Sequence, residues 1–347
     1  IWTCGQNSYG ELGHGDVSIR TSFAKIAFFE SKSIIGAGAG NEHSVFLSSQ
    51  GKVFVTGYND NGQCGLGTTQ QVRQPTQVAN LDGEDISKVQ VFNGSEHTLL
   101  VTRDGRLYAF GYNYRGQLGL GTTSSEMIPR LVKGLLSKKV RLAACSYHHS
   151  AAVCTDGSMY TFGRNDFGQL GHGDCIDRKT PQLVPGVNKP AVAVSCGQFH
   201  TTFVNSASQA FACGKNDFGQ LGLENVENVK IFTKIDISFS QSATASSPVA
   251  QVCCGYYHTL VLLQSGLVLG CGRNDYGQLG LGHTQPRVHG LQPVSGLREK
   301  LVNVLSCGCY HSAAITSNGM MYVFGRNNHG QLGTGDNEER HVPHPVD

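Results

Sequence analysis

The stretch Gly163-Arg164-Asn165-Asp166-Phe167-Gly168-Gln169-Leu170-Gly171 is one copy of a phrase that recurs along the whole chain. The seven copies span residues 5–13, 57–65, 111–119, 163–171, 214–222, 272–280 and 325–333. Repeats of 20 to 50 residues are typical of solenoids, propellers and arrays, in which each unit buries its apolar faces against its neighbours. The phrase therefore predicts a repeat architecture.

A second phrase, a histidine followed by serine or threonine, precedes six of the seven copies. Each histidine lies 14 residues before the first glycine of the next copy, at His43, His97, His149, His200, His258 and His311. Between His43 and Gly57 the chain reads as strand, turn and strand, with Gly51 at the turn. Five hairpins have glycine there and the fourth has Ser208. A hairpin cannot gain one residue without turning side chains to the wrong face, so the constant interval indicates a fixed register.

Each unit of about 52 residues is then a small antiparallel sheet, and seven such units fit a closed propeller. We predict an all-β, seven-bladed β-propeller of four-stranded antiparallel blades, forming a single domain over residues 1–347. The first blade is expected to be incomplete, because the chain starts at its third strand, Ile1 to Cys4. We expect the natural chain to continue past Asp347, or to include a further segment, that supplies the two inner strands.

Composition limits the function classes. Glycine supplies 45 of 347 residues, about 13 % against an average near 7 %, and the charged fraction is low. A net charge of +2 gives no strong field toward nucleic acid. No apolar stretch approaches the roughly 20 residues that a membrane helix needs, so no membrane insertion is expected. The twelve cysteines recur at repeat positions, which is typical of core thiols and indicates a reducing compartment, cytoplasmic or nuclear.

The two phrases resemble the regulator-of-chromosome-condensation repeat, most clearly at 163–171 and Gly197-Gln198-Phe199-His200-Thr201. The resemblance covers essentially the whole chain and is specific for fold more than for function. The family includes an exchange factor for the GTPase Ran, modules of HECT-type ubiquitin ligases, ciliary and trafficking proteins, and a plant UV-B photoreceptor. The photoreceptor needs tryptophans just before the repeated histidines. This chain has a single tryptophan, Trp2, at another place, so we set that function aside.

No catalytic site, cofactor or metal site is predicted. The six repeated histidines occupy one repeat position, so they are spread among the blades instead of converging on one metal ion. We interpret them as structural, with imidazoles that bond local backbone. No nucleophile–base spacing or P-loop is present, and the Gly-x-Asn-x-x-Gly phrase opens no helix.

The variable positions beside the hairpin ends are the predicted partner-binding face. Residues just before each histidine and just after each first glycine should lie side by side on one rim. The pairs are Glu42 with Tyr58, Glu96 with Tyr112, His148 with Arg164, Phe199 with Lys215, Tyr257 with Arg273, and Tyr310 with Arg326. Aromatic residues and arginines are enriched at interface hot spots. The alternative is that Arg164, Lys215 and Arg273 pair only with Asp166, Asp217 and Asp275 of their own loops.

The longest insertion, Ser238 to Pro248, is polar and is interpreted as a surface loop or, alternatively, as a protruding contact element. Taken together, the sequence favours a non-catalytic protein–protein interaction scaffold within a larger protein or assembly. The alternatives are an exchange factor for a Ran-like GTPase and a recognition module of a HECT-type ubiquitin ligase. The expected partner is another protein, such as a small GTPase or an acidic segment, and nucleic acid is disfavoured.

Overall fold

The hairpin between each repeated histidine and glycine is the centre of every complete sheet. In this computed structural model, which describes residues 1–79, 88–90, 96–224, 227–237 and 248–346, each histidine faces its glycine directly across the hairpin. His149, for example, is opposite Gly163. The interval of 14 residues is therefore strand register, as predicted.

The chain divides into two compact units. Unit 1 comprises Ile1–Arg164, Ile176–Val184 and His329–Asn337, and unit 2 comprises Asn165–Cys175, Pro185–Asn328 and Glu338–Asp347. Within the described residues, regular structure is almost entirely antiparallel strand, with three single-turn 3₁₀ helices at Ala27–Phe29, Lys133–Leu135 and Ser295–Leu297. None of the described helices is long and apolar enough to cross a membrane.

Unit 1 holds one two-stranded sheet and three four-stranded sheets. The two-stranded sheet pairs β1 (Trp2–Gly5) with β2 (Arg20–Lys25). The other strands are β3 (Ile34–Ala39), β4 (His43–Ser48), β5 (Val53–Gly57), β6 (Val72–Gln77), β7 (Lys88–Gln90), β8 (His97–Val101), β9 (Leu107–Gly111), β10 (Glu126–Leu131), β11 (Val140–Cys145), β12 (His149–Cys154), β13 (Met159–Gly163) and β14 (Arg178–Leu183). Each sheet is a meander in which consecutive strands pair.

Unit 2 repeats the meander three times. Its strands are β15 (Ala191–Cys196), β16 (His200–Asn205), β17 (Ala210–Gly214), β18 (Val229–Lys234), β19 (Val249–Cys254), β20 (His258–Leu263), β21 (Val268–Arg273), β22 (Arg287–Pro293), β23 (Val302–Cys307), β24 (His311–Thr316), β25 (Met321–Gly325) and β26 (Arg340–Val346).

The apolar core of each unit lies between neighbouring sheets. In unit 1, Val45 and Val55 of one blade pack with Leu100 and Phe110 of the next. All four side chains are fully buried. In unit 2, Leu260 and Phe324 belong to one buried cluster that joins β20 to β25. This arrangement is expected for sheets that cannot bury both faces alone.

The glycine that begins each phrase is required by the backbone. Gly57 has φ +106°, and a Cβ there would lie 2.3 Å from the carbonyl oxygen of Glu42. The register between the third and fourth strands shifts at this residue, so the chain leaves the sheet there. The rim residue that follows, Tyr58, still donates its amide to the Glu42 carbonyl, at 2.8 Å.

The number of blades differs from the prediction. The described residues form six four-stranded blades, not seven, and the remaining copy of the phrase, residues 5–13, connects β1 to β2 in the two-stranded sheet. The reason lies in the repeats themselves, since the chain has seven glycine phrases but six histidine phrases. The expectation of an incomplete first blade is met by β1 and β2. The insertion at 238–247 lies outside the described residues.

Candidate functional site: two rows of rim residues

The phrase loops position the rim through a repeated set of hydrogen bonds. In the fourth copy, the Leu170 amide donates to Oδ1 of Asn165, at 2.9 Å, and the Asn165 Nδ2 donates to the carbonyl of Asp174. The Phe167 amide donates to Oε1 of Gln169, at 3.0 Å. The asparagine and the glutamine are completely buried, so these hydrogen bonds fix the conformation of the loop.

The predicted rim pairs are hydrogen-bonded in all six blades. The amide of the residue after each glycine donates to the carbonyl of the residue before each histidine, at 2.8–2.9 Å. All twelve predicted residues are half-buried. The pairing is confirmed, whereas the use of these residues to bind a partner stays a prediction. Glu42, Tyr58, Glu96, Tyr112, His148 and Arg164 belong to unit 1, and Phe199, Lys215, Tyr257, Arg273, Tyr310 and Arg326 belong to unit 2.

In unit 2 the rim residues form a continuous row of cations and rings, which we call the basic row. It comprises Phe167, Phe199, Lys215, Phe218, Tyr257, Arg273, Tyr276, Tyr310 and Arg326. The Lys215 ammonium lies 4.8 Å from the centre of the Phe167 ring and 5.6 Å from that of Phe199. The Phe199 ring is 6.2 Å from the Tyr257 ring, which begins the next blade's cluster.

Arg273 is the centre of the basic row. Its guanidinium carbon lies between 5.2 and 5.9 Å from the ring centres of Phe218, Tyr257, Tyr276 and Tyr310. The Arg326 guanidinium carbon lies 5.1 Å from the Tyr276 ring and 5.8 Å from the Tyr310 ring. Cations over aromatic faces attract the ring quadrupole, so these contacts hold both guanidinium groups in place.

Two of the row's cations also pair with their own loops, as the alternative interpretation requires. Lys215 Nζ is 3.0 Å from Asp217, and Arg273 forms a two-pronged pair with Asp275 whose shortest distance is 2.6 Å. The hydrogen bonds that Arg273 donates to the Asp275 carboxylate raise the pKa of Arg273 above its ordinary value. Among the described residues, Arg326 forms no ion pair.

Phe167, Phe218 and Tyr276 were missed by sequence reasoning. Each stands three residues after a rim cation and just before the second glycine of its phrase. This repeated spacing was the signal that could have identified them. With these three residues, the number of aromatic rings in the basic row rises from three to six.

In unit 1 the equivalent positions form a row of carboxylates and rings, which we call the acidic row. It comprises Tyr9, Glu11, Glu42, Tyr58, Glu96, Tyr112 and His148. The Tyr9 and Tyr58 ring centres are 4.7 Å apart, and Tyr112 is 5.2 Å from the ring of His148. Burial raises the pKa of Tyr58 to about 12, with further contributions from Asp60 and Glu96.

Four of the repeated histidines, at positions 43, 97, 200 and 258, are buried and contact the next blade. His43 Nε2 lies 3.0 Å from the Thr98 hydroxyl of the next blade, and His258 Nε2 lies 3.0 Å from that of Ser312. His97 and His200 bond a hydroxyl in the same way, so the prediction of local backbone partners is wrong for these four. Sequence periodicity defines contacts within a blade but not those between blades. No group of three metal-ligating side chains was found among the described residues.

The comparisons with known proteins agree with this geometry. The chain is 31 % identical over 345 residues to the ultraviolet-B receptor UVR8 of Arabidopsis thaliana, covering 99 % of this chain and 76 % of the receptor. It is 33 % identical over 343 residues to the human E3 ubiquitin-protein ligase HERC2, covering 96 % of this chain but only 7 % of the ligase.

Among solved structures, Prp20p from Saccharomyces cerevisiae matches with a TM-score of 0.86 at 20 % identity, covering 100 % of this chain and 85 % of that one. This likeness shows the fold, an all-β propeller with four-stranded antiparallel blades. The family model of the RCC1-like domain matches residues 1–347. With its seven phrases in register and two homologues above 30 % identity, the chain belongs to the RCC1-like domain family.

Proposed function

We propose that this chain is a non-catalytic protein–protein interaction scaffold whose basic row holds an acidic segment of a partner protein. The observation that carries the proposal is the continuous cluster of Lys215, Arg273 and Arg326 among the six aromatic residues of the basic row in unit 2. Exposed charges that only pair with their own loops would not require neighbouring cations to contact the same ring, as Arg273 and Arg326 both contact Tyr310. Aromatic residues and arginines dominate binding energy at interfaces.

The geometry of the row supports this ligand class. Arg326 is held by two tyrosine rings without an ion pair among the described residues, so its N–H groups can be used by a partner carboxylate. Arginine binds carboxylates with two parallel hydrogen bonds. Since the rings already restrict the guanidinium, less conformational entropy is lost on binding.

The first test is binding of a labelled, terminally blocked peptide of alternating aspartate and glutamate, measured by fluorescence anisotropy. The triple variant Lys215→Ala, Arg273→Ala, Arg326→Ala should lose at least tenfold in affinity. The matched control Lys189→Ala, Lys234→Ala, Arg298→Ala removes the same charge from exposed sites in unit 2 and should bind as the unchanged protein does.

Equal affinity of the two triple variants would remove the basic row from the proposal. An asparagine and glutamine version of the peptide should not bind. Tighter binding to duplex DNA than to the peptide, with a steep loss on adding salt, would instead favour nucleic acid.

We propose further that the scaffold serves a larger protein as a recognition module. The support is the similarity to HERC2, because the matched region is only 7 % of that ligase. Recognition of a ligase's substrate or partner is one such use. An affinity screen tests this proposal, with the basic-row triple variant as the negative control. A partner that the module recognises through the basic row should bind the unchanged protein and not the triple variant.

A second candidate is guanine-nucleotide exchange on a small GTPase. It is favoured by the likeness to Prp20p, whose structure is reported with its binding properties to Gsp1p and histones. An exchange factor needs no acid, base or nucleophile, because it acts by binding the GTPase without its nucleotide. Release of fluorescent GDP from a panel of small GTPases tests the idea, and no acceleration for any member would exclude it for that panel.

We also propose that residues 1–347 form one seven-bladed domain in which β1 and β2 are the outer strands of the first blade. In unit 1, the Gly15 amide donates to the Arg73 carbonyl on the outer strand β6, at 2.9 Å. The Gly335 amide, after the last phrase, donates to the Thr21 carbonyl on β2 at the same distance. The two-stranded sheet thus receives the contact that a complete blade receives.

The expected location is a reducing compartment, the cytoplasm or the nucleus. The support is that eight of the twelve cysteines are buried thiols. Burial raises the pKa of Cys64 and Cys254 to about 12, which keeps them in the unreactive thiol form. Fluorescence imaging of a tagged chain tests the location.

A further inference from the structure

Glu11 stands where the other six phrases have glutamine, at positions 63, 117, 169, 220, 278 and 331. Its Oε2 accepts a hydrogen bond from the Tyr9 amide at 2.8 Å. Each glutamine Oε1 accepts the equivalent bond, for example from the Arg115 amide to Gln117 at 3.0 Å. A glutamine would therefore fulfil the structural role of Glu11, and the carboxylate needs another explanation.

The carboxylate of Glu11 is placed where its charge is unfavourable. Its side chain is 7 % exposed, and Oε1 has no hydrogen-bond partner among the described residues. Burial raises the pKa of Glu11 despite the backbone N–H groups that lower it. A buried charge without a partner destabilises a protein unless something compensates it.

Glu42 lies beside Glu11 and increases the unfavourable charge. A Cβ added at Gly57 would lie 2.3 Å from the Glu42 carbonyl and 3.0 Å from Cβ of Glu11, so both side chains start at the same rung. Burial raises the pKa of Glu42, and the charges of Glu11 and then Glu96 raise it further. Within the described part of the chain, neither Glu11 nor Glu42 forms an ion pair.

The free oxygen of Glu11 is directed toward the rim. In the third phrase the corresponding atom, Nε2 of Gln117, lies 3.4 Å from Nδ1 of the rim residue His148. Glu42 is the rim residue at the equivalent place beside Glu11, and the charge of Glu11 raises its pKa. The Tyr9 and Tyr58 ring centres are 4.7 Å apart, in the same loop and rim region as Glu11 and Glu42. The faces of such rings attract cations.

We propose that Glu11, Glu42, Tyr9 and Tyr58 form a site for one cationic side chain, lysine or arginine, of a protein partner. A bound cation would supply the missing opposite charge for both carboxylates and pack against the rings. The inference rests on the proposed function as a protein-binding scaffold, but it uses a different row in a different unit. A metal ion is not the proposed ligand, since no group of three ligating side chains was found among the described residues.

The test uses terminally blocked Gly-Gly-Arg-Gly-Gly, its lysine version and its citrulline version, with binding measured by NMR titration. Arginine or lysine should bind the unchanged protein, and neutral citrulline should not. Glu11→Gln and Glu42→Gln should each weaken binding at least fivefold. Glu30→Gln, which removes an exposed carboxylate of unit 1 that pairs with Lys25, is the matched control and should change nothing.

Glu11→Gln introduces the residue of the other six phrases, so it should fold, and its thermal midpoint should equal or exceed that of the unchanged protein. Unaltered binding by Glu11→Gln, equal binding of citrulline, or no binding of either cationic peptide would overturn the site. The basic-row triple variant should keep its affinity for the arginine peptide. That result separates failure of this inference from failure of the basic row.

Discussion

At the scale of single residues, Ser208 is the exception among the hairpin turns. Its φ is +57°, and it is the only non-glycine residue with positive φ among those described, whereas Gly157 at the same turn position has φ +80°. A non-glycine residue in the left-handed region costs roughly 1 kcal/mol. The other five hairpins have glycine at this position, and Ser208 adopts the same left-handed conformation as those glycines.

We predict that Ser208→Gly stabilises the protein by about 0.5–1 kcal/mol, measured as the free energy of unfolding in urea. The gain is reduced by loss of an exposed hydrogen bond from Gln264 to the Ser208 hydroxyl, 3.1 Å long. The reverse change, Gly157→Ser, should destabilise by a similar amount. Identical urea midpoints for both variants and the unchanged protein would show that the turn conformation carries no cost.

At the scale of the structural element, the phrase loop depends on one asparagine. The Leu118 amide donates to Oδ1 of Asn113 at 3.0 Å, and Asn113 Nδ2 donates to the carbonyls of Thr122 and Ser124. Asn113 is fully buried, so water cannot replace these bonds. One side chain thus closes the loop at three points.

We predict that Asn113→Ala lowers the free energy of unfolding by about 2–4 kcal/mol, because buried backbone groups lose their partners. Asn113→Asp should also destabilise, since it keeps the acceptor but loses both donors. Exposed Asn337→Ala, also in unit 1, should stay within about 0.5 kcal/mol. A loss for Asn113→Ala no larger than for Asn337→Ala would contradict the closing role.

The element scale also explains what the sequence could predict. The interval from His149 to Gly163 fixed the hairpin and hence the pairing of His148 with Arg164, because strand register depends on sequence spacing alone. Contacts between blades join residues whose separation in the sequence varies, so spacing does not predict them. The hydroxyl partner of His43 comes from the next blade, and the sequence prediction of a backbone partner was wrong. The Phe218 and Tyr310 rings beside Arg273 also come from neighbouring blades, and the sequence pairing predicted only its contact with Tyr257.

At the scale of the whole molecule, the proposal of one domain predicts cooperative unfolding. Blades stabilise one another by stacking, so loss of one exposes the apolar face of the next. Scanning calorimetry should give a single transition whose calorimetric and van't Hoff enthalpies agree. Two resolved transitions would instead assign independent stability to units 1 and 2 and contradict the single domain.

The buried histidines make stability depend on pH. Burial lowers the pKa of His43 to about 4 and that of His258 to about 3, against an ordinary value near 6.5. Below pH 6.5 the unfolded chain takes up protons that the folded chain does not, so the stability present above that pH is lost as the pH falls toward 4. Each such histidine contributes up to about 1.4 kcal/mol per pH unit.

The carboxyl groups of the acidic row act in the opposite direction. Burial raises the pKa of Glu11, Glu42 and Glu96, so the folded chain binds their protons more readily than the unfolded chain. Protonation of these groups stabilises the fold as the pH falls through their raised pKa values. Since the histidine shifts are larger, we expect a net loss of several kcal/mol between pH 6.5 and 4, measured by urea unfolding.

Two substitutions separate the sources of this pH dependence. His43→Gln should reduce the slope of unfolding free energy against pH by up to about 1.4 kcal/mol per unit, whatever its effect on stability at pH 7. The control Asn337→Gln, at an exposed position in unit 1 without a titratable side chain, should leave the slope unchanged. A free energy that stays constant or rises from pH 6.5 to 4.5 would mean that the buried imidazoles are protonated in the folded chain. In the neutral ring of His43, Nε2 already donates to the Thr98 hydroxyl, because that hydroxyl donates its own proton to the Gln63 carbonyl at 2.9 Å, so the added proton would be on Nδ1.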